Sequence, residues 1–200
     1  MSFHRRLDDA LVERLGVKVQ FVPGWDRQRR GPWARAGKPV ALMAHHTAGA
    51  ATSSRNPKNA GNQKGANAGI INFVQKHYRV PAANFTLDRD GTVYVHAAYP
   101  VWHAGKGSFK DVKPFNRLRI PDDMGNDYMM GVEIVSKGLH RDFTAAQKES
   151  FGKLANAVRD SAGWKGFTLR LPNHKTWAPT RKVDTRYTLA ALKRWAKRFK

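Results

Sequence analysis

The sequence predicts a single α/β domain, and three observations predict it. The chain has 200 residues, the size of one ordinary domain. Strand-like and helix-like segments alternate along it, as in layered α/β folds. No internal repeat and no linker long enough to separate a pair of domains interrupts them. Within this one unit, residues 1–38 read as an N-terminal extension packed on a core formed by residues 39–200.

The elements follow in order. Leu7, Leu11 and Leu15 stand at helical spacing, so Asp8 to Leu15 is expected to be helical, with Gly16 ending it. Val17 to Val22 alternates apolar and polar residues and reads as a strand, broken by Pro23-Gly24. Asp26 to Lys38 is basic and reads as an ordered loop. Pro39 to His46 is a buried strand that delivers His45 and His46 at its end. Gly49 to Ala68 is polar and reads as a loop or the entry to a helix, and Ile70 to Tyr78 as a helix. The Asp90-Gly91 step between Asn84–Leu87 and Thr92–His96 marks a β-hairpin. Tyr99 to Ser108 is a loop, and Met129 to Val135 a buried strand. Thr144 and Gln147 fit a capping box opening a helix that Gly163 closes. Phe167 to Leu171 reads as a short strand, and Tyr187 to Phe199 as a final helix.

Composition narrows the function. The 41% hydrophobic fraction suits a folded chain. With no Cys, disulfides, thiolate nucleophiles and Cys-ligated metals are excluded. Asp8 and Asp9 interrupt what would be the apolar core of a secretory signal, so the chain is expected to be made in the cytoplasm without one. No run approaches the roughly 18 apolar residues of a membrane span. The net charge of +21 points to polyanions: nucleic acid, anionic lipid or the anionic polymers of a bacterial wall. Neither a zinc-finger spacing, a helix-turn-helix signal nor an RNA-binding aromatic run supports specific nucleic-acid binding. Leu189, Leu192, Trp195 and Phe199 form an apolar stripe among Lys193, Arg194, Lys197, Arg198 and Lys200. That pattern fits either a helix packed on the core or one lying on an anionic membrane.

Two distant segments hold candidate metal ligands. His45-His46-Thr47-Ala48-Gly49 follows the apolar run Val40 to Ala44, and His174 precedes Lys182 and Asp184 in one Pro-containing segment. Two imidazoles and a carboxylate are what a catalytic zinc takes, with a fourth position left for water. Adjacent strand residues face opposite sides, so only one of His45 and His46 enters a given site easily. On spacing alone each group has a plainer reading: His residues hydrogen-bonded in the core, Lys182 a solvated loop charge, Glu133 a carboxylate paired with a neighbouring base. His77, His96 and His140 carry no signal beyond that.

Taken together, these segments resemble the zinc-dependent N-acetylmuramoyl-L-alanine amidases of the type-2 family, whose fold is shared with peptidoglycan-recognition proteins. The resemblance runs in order from about residue 40 to the end. It includes Asn84-Phe85 with the Asp88 to Val93 hairpin, Val101-Trp102-His103-Ala104-Gly105, Asn126-Asp127-Tyr128, and Gly131-Val132-Glu133-Ile134. It is closest in pattern to the branch with an Asp ligand, and Gly16 to Val19 with Pro23-Gly24-Trp25 is similar to phage endolysins.

The resemblance implies a central mixed β-sheet flanked by helices. It implies one Zn²⁺ held by His45, His174 and Asp184, with Glu133 as acid/base and Lys182 stabilising the oxyanion. Trp102, His103, Asn84 and Thr47 are expected to line the substrate groove, and His46 to turn away. Many relatives carry a Tyr just before the hairpin; here Pro81-Ala82-Ala83 stands there instead. The expected activity is cleavage between N-acetylmuramic acid and L-alanine of peptidoglycan, by a monomer that reaches the wall after release. The basic surface is expected to meet anionic wall polymers or anionic lipid. The alternative is a peptidoglycan binder of the same fold without catalysis.

Overall fold

The computed structural model describes residues 2–33, 37–47, 80–136, 138 and 141–200. The expected loop and helix between Gly49 and Tyr78, together with Ala48, His77 and His140, lie outside the described residues.

Five strands form one mixed sheet: β1 (Val19–Phe21), β2 (Ala41–His46), β3 (Phe85–Leu87), β4 (Val93–Val95) and β5 (Met129–Ile134), in the order β1-β4-β3-β5-β2. β3 and β4 are the antiparallel arms of the expected hairpin; the other neighbours run parallel. Among the described residues the α-helices are α1 (Phe3–Leu15), α2 (Gly125–Tyr128), α3 (Ala145–Ala162), α4 (His174–Trp177) and α5 (Leu189–Arg198).

Strand alternation divides β2 and β5 between two cores. Leu42, Ala44, Met130, Val132 and Ile134 join the main core with Leu7 and Leu11 of α1, Phe151 and Leu154 of α3, and Leu192 and Trp195 of α5. Ala41, Met43 and Met129 point the other way, into a smaller cluster with Phe109, Phe115 and Trp177. A large apolar side chain, fully buried, contributes about 1.5–3 kcal/mol. His45 and Glu133 are register partners on the same face as the smaller cluster.

The N-terminal helix lies on α3, where Arg6 and Ser161 exchange side-chain-to-backbone hydrogen bonds and Arg14 pairs with Asp160 at 2.5 Å. The capping box of α3 is present in full: the Thr144 hydroxyl accepts from Gln147 N and the Gln147 side chain from Thr144 N. Gly163 closes the helix with φ of 68°, a left-handed turn that costs a side-chain-bearing residue more.

Several boundaries differ from the sequence reading. The first helix begins at Phe3, and Gly16–Lys18 is a 3-10 turn that shortens β1. Phe167 to Leu171 is not a strand. Arg170 N donates to Phe167 O, closing a turn, and the backbone then accepts from the β2 edge, Leu42 N to Arg170 O and Ala44 N to Pro172 O. Pro172 has no N–H to extend a ladder. The last helix starts at Leu189 rather than Tyr187, because the Thr188 hydroxyl caps it by accepting from Ala191 N.

Candidate metal centre and active site

Three candidate ligands converge from two places in the fold. β2 ends with His45 and His46, and the imidazole of His45 is 1% exposed. Beside the β2 edge, Asn173 bridges Ala44 and then caps α4 by accepting from Thr176 N at 2.9 Å, which sets His174 at the helix start. The loop after α4 returns, and Lys175 N donates to Asp184 O at 2.6 Å, fixing the carboxylate opposite both rings. His45 Nδ1 lies 2.9 Å from His174 Nδ1 and 3.4 Å from Asp184 Oδ2, and His174 Nδ1 lies 3.1 Å from the same oxygen.

The outer ring nitrogens assign the protons. His174 Nε2 lies 2.9 Å from Ala104 O, and His103 Nε2 2.8 Å from Met129 O. Carbonyls only accept, so both nitrogens carry hydrogen. Burial above all, with the neighbouring His45 next, holds the His103 pKa well below its usual value, so its ring is neutral and its Nδ1 is an acceptor. That nitrogen is 3.2 Å from His45 Nε2, which therefore donates. Burial first, then the His174 ring, lowers the His45 pKa to about 4. His45 Nδ1 thus presents a lone pair, and it meets His174 Nδ1 and the Asp184 carboxylate, one ligand atom from each lying within 4.8 Å of the others. A cation can join three such atoms where protons otherwise would. The donor set fits a metal ion of zinc's type.

Around this cluster a cavity of about 760 Å³ is lined by Thr47, Trp102, His103, Glu133 and Lys182 as well as His174 and Asp184. Glu133 is half-buried, yet its Oε2 is sealed from solvent and has no hydrogen-bond partner among the described residues. Burial, with the Asp184 charge second, pushes its pKa up to about 8, and Lys182 pulls partly back. Thr47 ties the ends of β2 and β5 through Ser136, its hydroxyl 3.2 Å from Ser136 O. Trp102 is 41% exposed.

One expected groove residue takes another place. Asn84 has no exposed surface: its Nδ2 donates to Ala97 O and Tyr99 O, and its Oδ1 accepts from Gly131 N. It braces the strands rather than facing the cavity. His103 does line the cavity, but both its ring nitrogens are engaged inward, on His45 and Met129. His46 belongs to the opposite sheet face and stays outside the ligand cluster, although its edge reaches the cavity wall.

Sequence reasoning missed the supports. Gly131 leaves room for His103, since a Cβ there would lie 2.5 Å from its Cγ. Asn126 Oδ1 accepts from His103 N and Ala104 N at 2.8 and 2.7 Å. Arg30 also lines the cavity. Asn126 and Gly131 stand inside segments that carry the resemblance, but their supporting roles were not read from them, and Arg30 stands in none of those segments.

The fold is similar to solved amidases. AmpD is 19% identical, with a TM-score of 0.52, over 88% of this chain and 98% of that one. An endolysin N-acetylmuramoyl-L-alanine amidase from Clostridium intestinale is 15% identical, with a TM-score of 0.51, over 90% and 95%. AmpDh3 from Pseudomonas aeruginosa, in complex with an anhydromuramic pentapeptide, is 15% identical, with a TM-score of 0.56, over 82% and 62%. At such identities the likeness speaks for the fold. No curated protein matches the chain by sequence. A family model described as N-acetylmuramoyl-L-alanine amidase matches residues 35–187. With its mixed sheet and its cluster of His45, His174 and Asp184 inside that span, the chain belongs to the type-2 N-acetylmuramoyl-L-alanine amidase family.

Proposed function

We propose that this amidase is a zinc enzyme that cuts the amide between the lactyl group of N-acetylmuramic acid and L-alanine of the stem peptide, and that it serves as a phage or prophage endolysin. The observation that carries the reading is the convergence of three lone-pair donors beside a buried, unpartnered carboxyl oxygen. His45, His174 and Asp184 would hold the ion. Zinc, when bound, supplies a Lewis acid that polarises a carbonyl and lowers the pKa of water to about 7.

The chain's own groups do the rest. Glu133 takes a proton from the attacking water and delivers one to the leaving amine nitrogen. A carboxyl whose pKa is raised toward neutrality suits both steps. The Lys182 ammonium stabilises the negative charge that gathers on the carbonyl oxygen. His103 and the Ala104 carbonyl hold the two imidazoles in the tautomers a cation needs. As an endolysin the protein would be made in the cytoplasm and act on the wall after release. Anionic wall polymers would be the partners of its basic surface.

The test is digestion of purified peptidoglycan with and without chelator. New L-alanine amino termini are scored against new reducing sugar ends. Chelator-sensitive release of amines without reducing ends is expected. No release on several wall types with zinc present would leave a binder of the same fold.

A further inference from the structure

One wall of the groove lies ahead of the family match. The matched span begins at residue 35, yet Arg30 lines the cavity that Glu133, His174 and Asp184 also line. After β1 the chain runs on beside the segment that leaves β4. Val22 N donates to Val95 O at 2.9 Å, Ala98 N to Trp25 O at 3.1 Å, and Arg30 N to Pro100 O at 2.8 Å. The Trp33 indole adds a bond to Ala98 O at 3.2 Å. This lacing brings Arg30 to the start of the Trp102 loop.

The Arg30 side chain then joins the Trp102 loop to α2. Its Cζ stands 4.0 Å from the centroid of the Trp102 ring, and its Nη1 donates to Asp127 Oδ1 at 2.8 Å. Asp127 follows Asn126, the residue that pins the backbone of His103 and Ala104. A large side chain that is 41% exposed has rotamer freedom to lose when a ligand packs on it. A planar guanidinium stacked on the indole and anchored by an ion pair removes some of that freedom beforehand.

We propose that Arg30 is a positioning residue for substrate: it fixes Trp102 as a wall of the groove, and the segment before the family match belongs to the muropeptide-binding site. The identity of the ligand rests on the amidase reading above. Lysine would keep the charge but lose the planar face over the Trp102 ring and the Nη1 bond to Asp127 made at the same time.

The experiment measures Kd for a soluble muropeptide by calorimetry, with KM and kcat beside it, on the zinc-loaded full chain. The variants are Arg30→Ala, Arg30→Lys, Trp102→Ala and the Arg30→Ala/Trp102→Ala double, each checked for thermal unfolding and zinc content. Arg30→Ala should raise Kd and KM about tenfold and leave kcat near wild type, the mark of lost uniform binding. Arg30→Lys should recover only a fraction of the loss. The double variant should bind no worse than Trp102→Ala alone, because Arg30 acts through that ring. An unchanged Kd in Arg30→Ala, or losses that add in the double variant, would overturn the proposal. A wild-type chain that binds muropeptide without cutting it would sink the amidase reading instead, while the Kd comparison still decides the role of Arg30.

Discussion

Glu133 Oε2 is shut off from solvent and, among the described residues, from every hydrogen-bond donor, an arrangement that normally costs about 1–3 kcal/mol or more. Nothing in the packing of β5 needs a carboxyl there; its strand neighbours Val132 and Ile134 are apolar and serve the other face. Such a group is retained for what it meets in the cavity. Glu133→Gln keeps the shape and removes the base. Turnover should fall by about a hundredfold to ten-thousandfold while bound zinc, measured on the same samples, stays at the wild-type ratio. Near-wild-type turnover would dismiss Glu133 as the acid/base. The same variant carries a pH prediction for the chelated protein. The folded pKa is raised from 4.5 to about 8, so Glu133 adds stability below the lower value and that stability is lost as pH rises through about 8. Between about pH 5 and about pH 9 the chelated wild type should therefore lose more stability than chelated Glu133→Gln in denaturant titrations. Parallel curves would show that the carboxyl titrates elsewhere.

At the scale of elements, β5 does as much through a missing side chain as through a present one. His103 occupies the space over Gly131, and a Cβ would come within 2.7 Å of its Nδ1, the atom that holds His45. Gly131→Ala should displace that ring and weaken zinc binding by about 10–100-fold in competition with a chelator. Adding His103→Ala should restore the lost stability but not the affinity, which separates a ligand-orienting role from simple overpacking. Affinity unchanged in both variants would count against the His45–His103 link.

Strands β2 and β5 were legible because both their faces are buried, which makes their sequences continuous apolar runs. Helix α3 was legible because its caps are local chemistry. The segment from Phe167 to Leu171 was not, because its apolar residues serve the β2 edge from a turn. The candidate ligand cluster of His45, His174 and Asp184 was legible only when the distant motifs were read together as a family pattern. The supports given by Gly131, Asn126 and Arg30 join residues far apart in the chain, and no local periodicity encodes such contacts.

For the whole molecule the governing quantity is charge: 36 Lys and Arg stand against 15 Asp and Glu. On α5 the apolar stripe is already spent, since Ala191, Leu192, Trp195 and Ala196 are buried and Trp195 packs among Phe143, Phe151 and Tyr187. Asn156 of α3 further ties the end of the helix through Ala196 O and Phe199 O. What α5 shows most openly to solvent is basic, with Arg194, Lys197 and Arg198 all exposed. Inserting the helix into a membrane would require unpacking the main core, whereas attraction to a polyanion requires no rearrangement. Long-range electrostatic retention on an anionic wall is therefore favoured, and such retention is screened by salt. At about 0.15 M the Debye length is roughly 8 Å, and it shortens to about 3 Å at about 1 M. Lysis of intact walls should fall steeply across that range while hydrolysis of a small soluble muropeptide, which meets only the groove, changes far less. Equal salt dependence for both substrates would place the effect inside the groove, and lysis indifferent to salt would remove the basic surface from the account of wall binding.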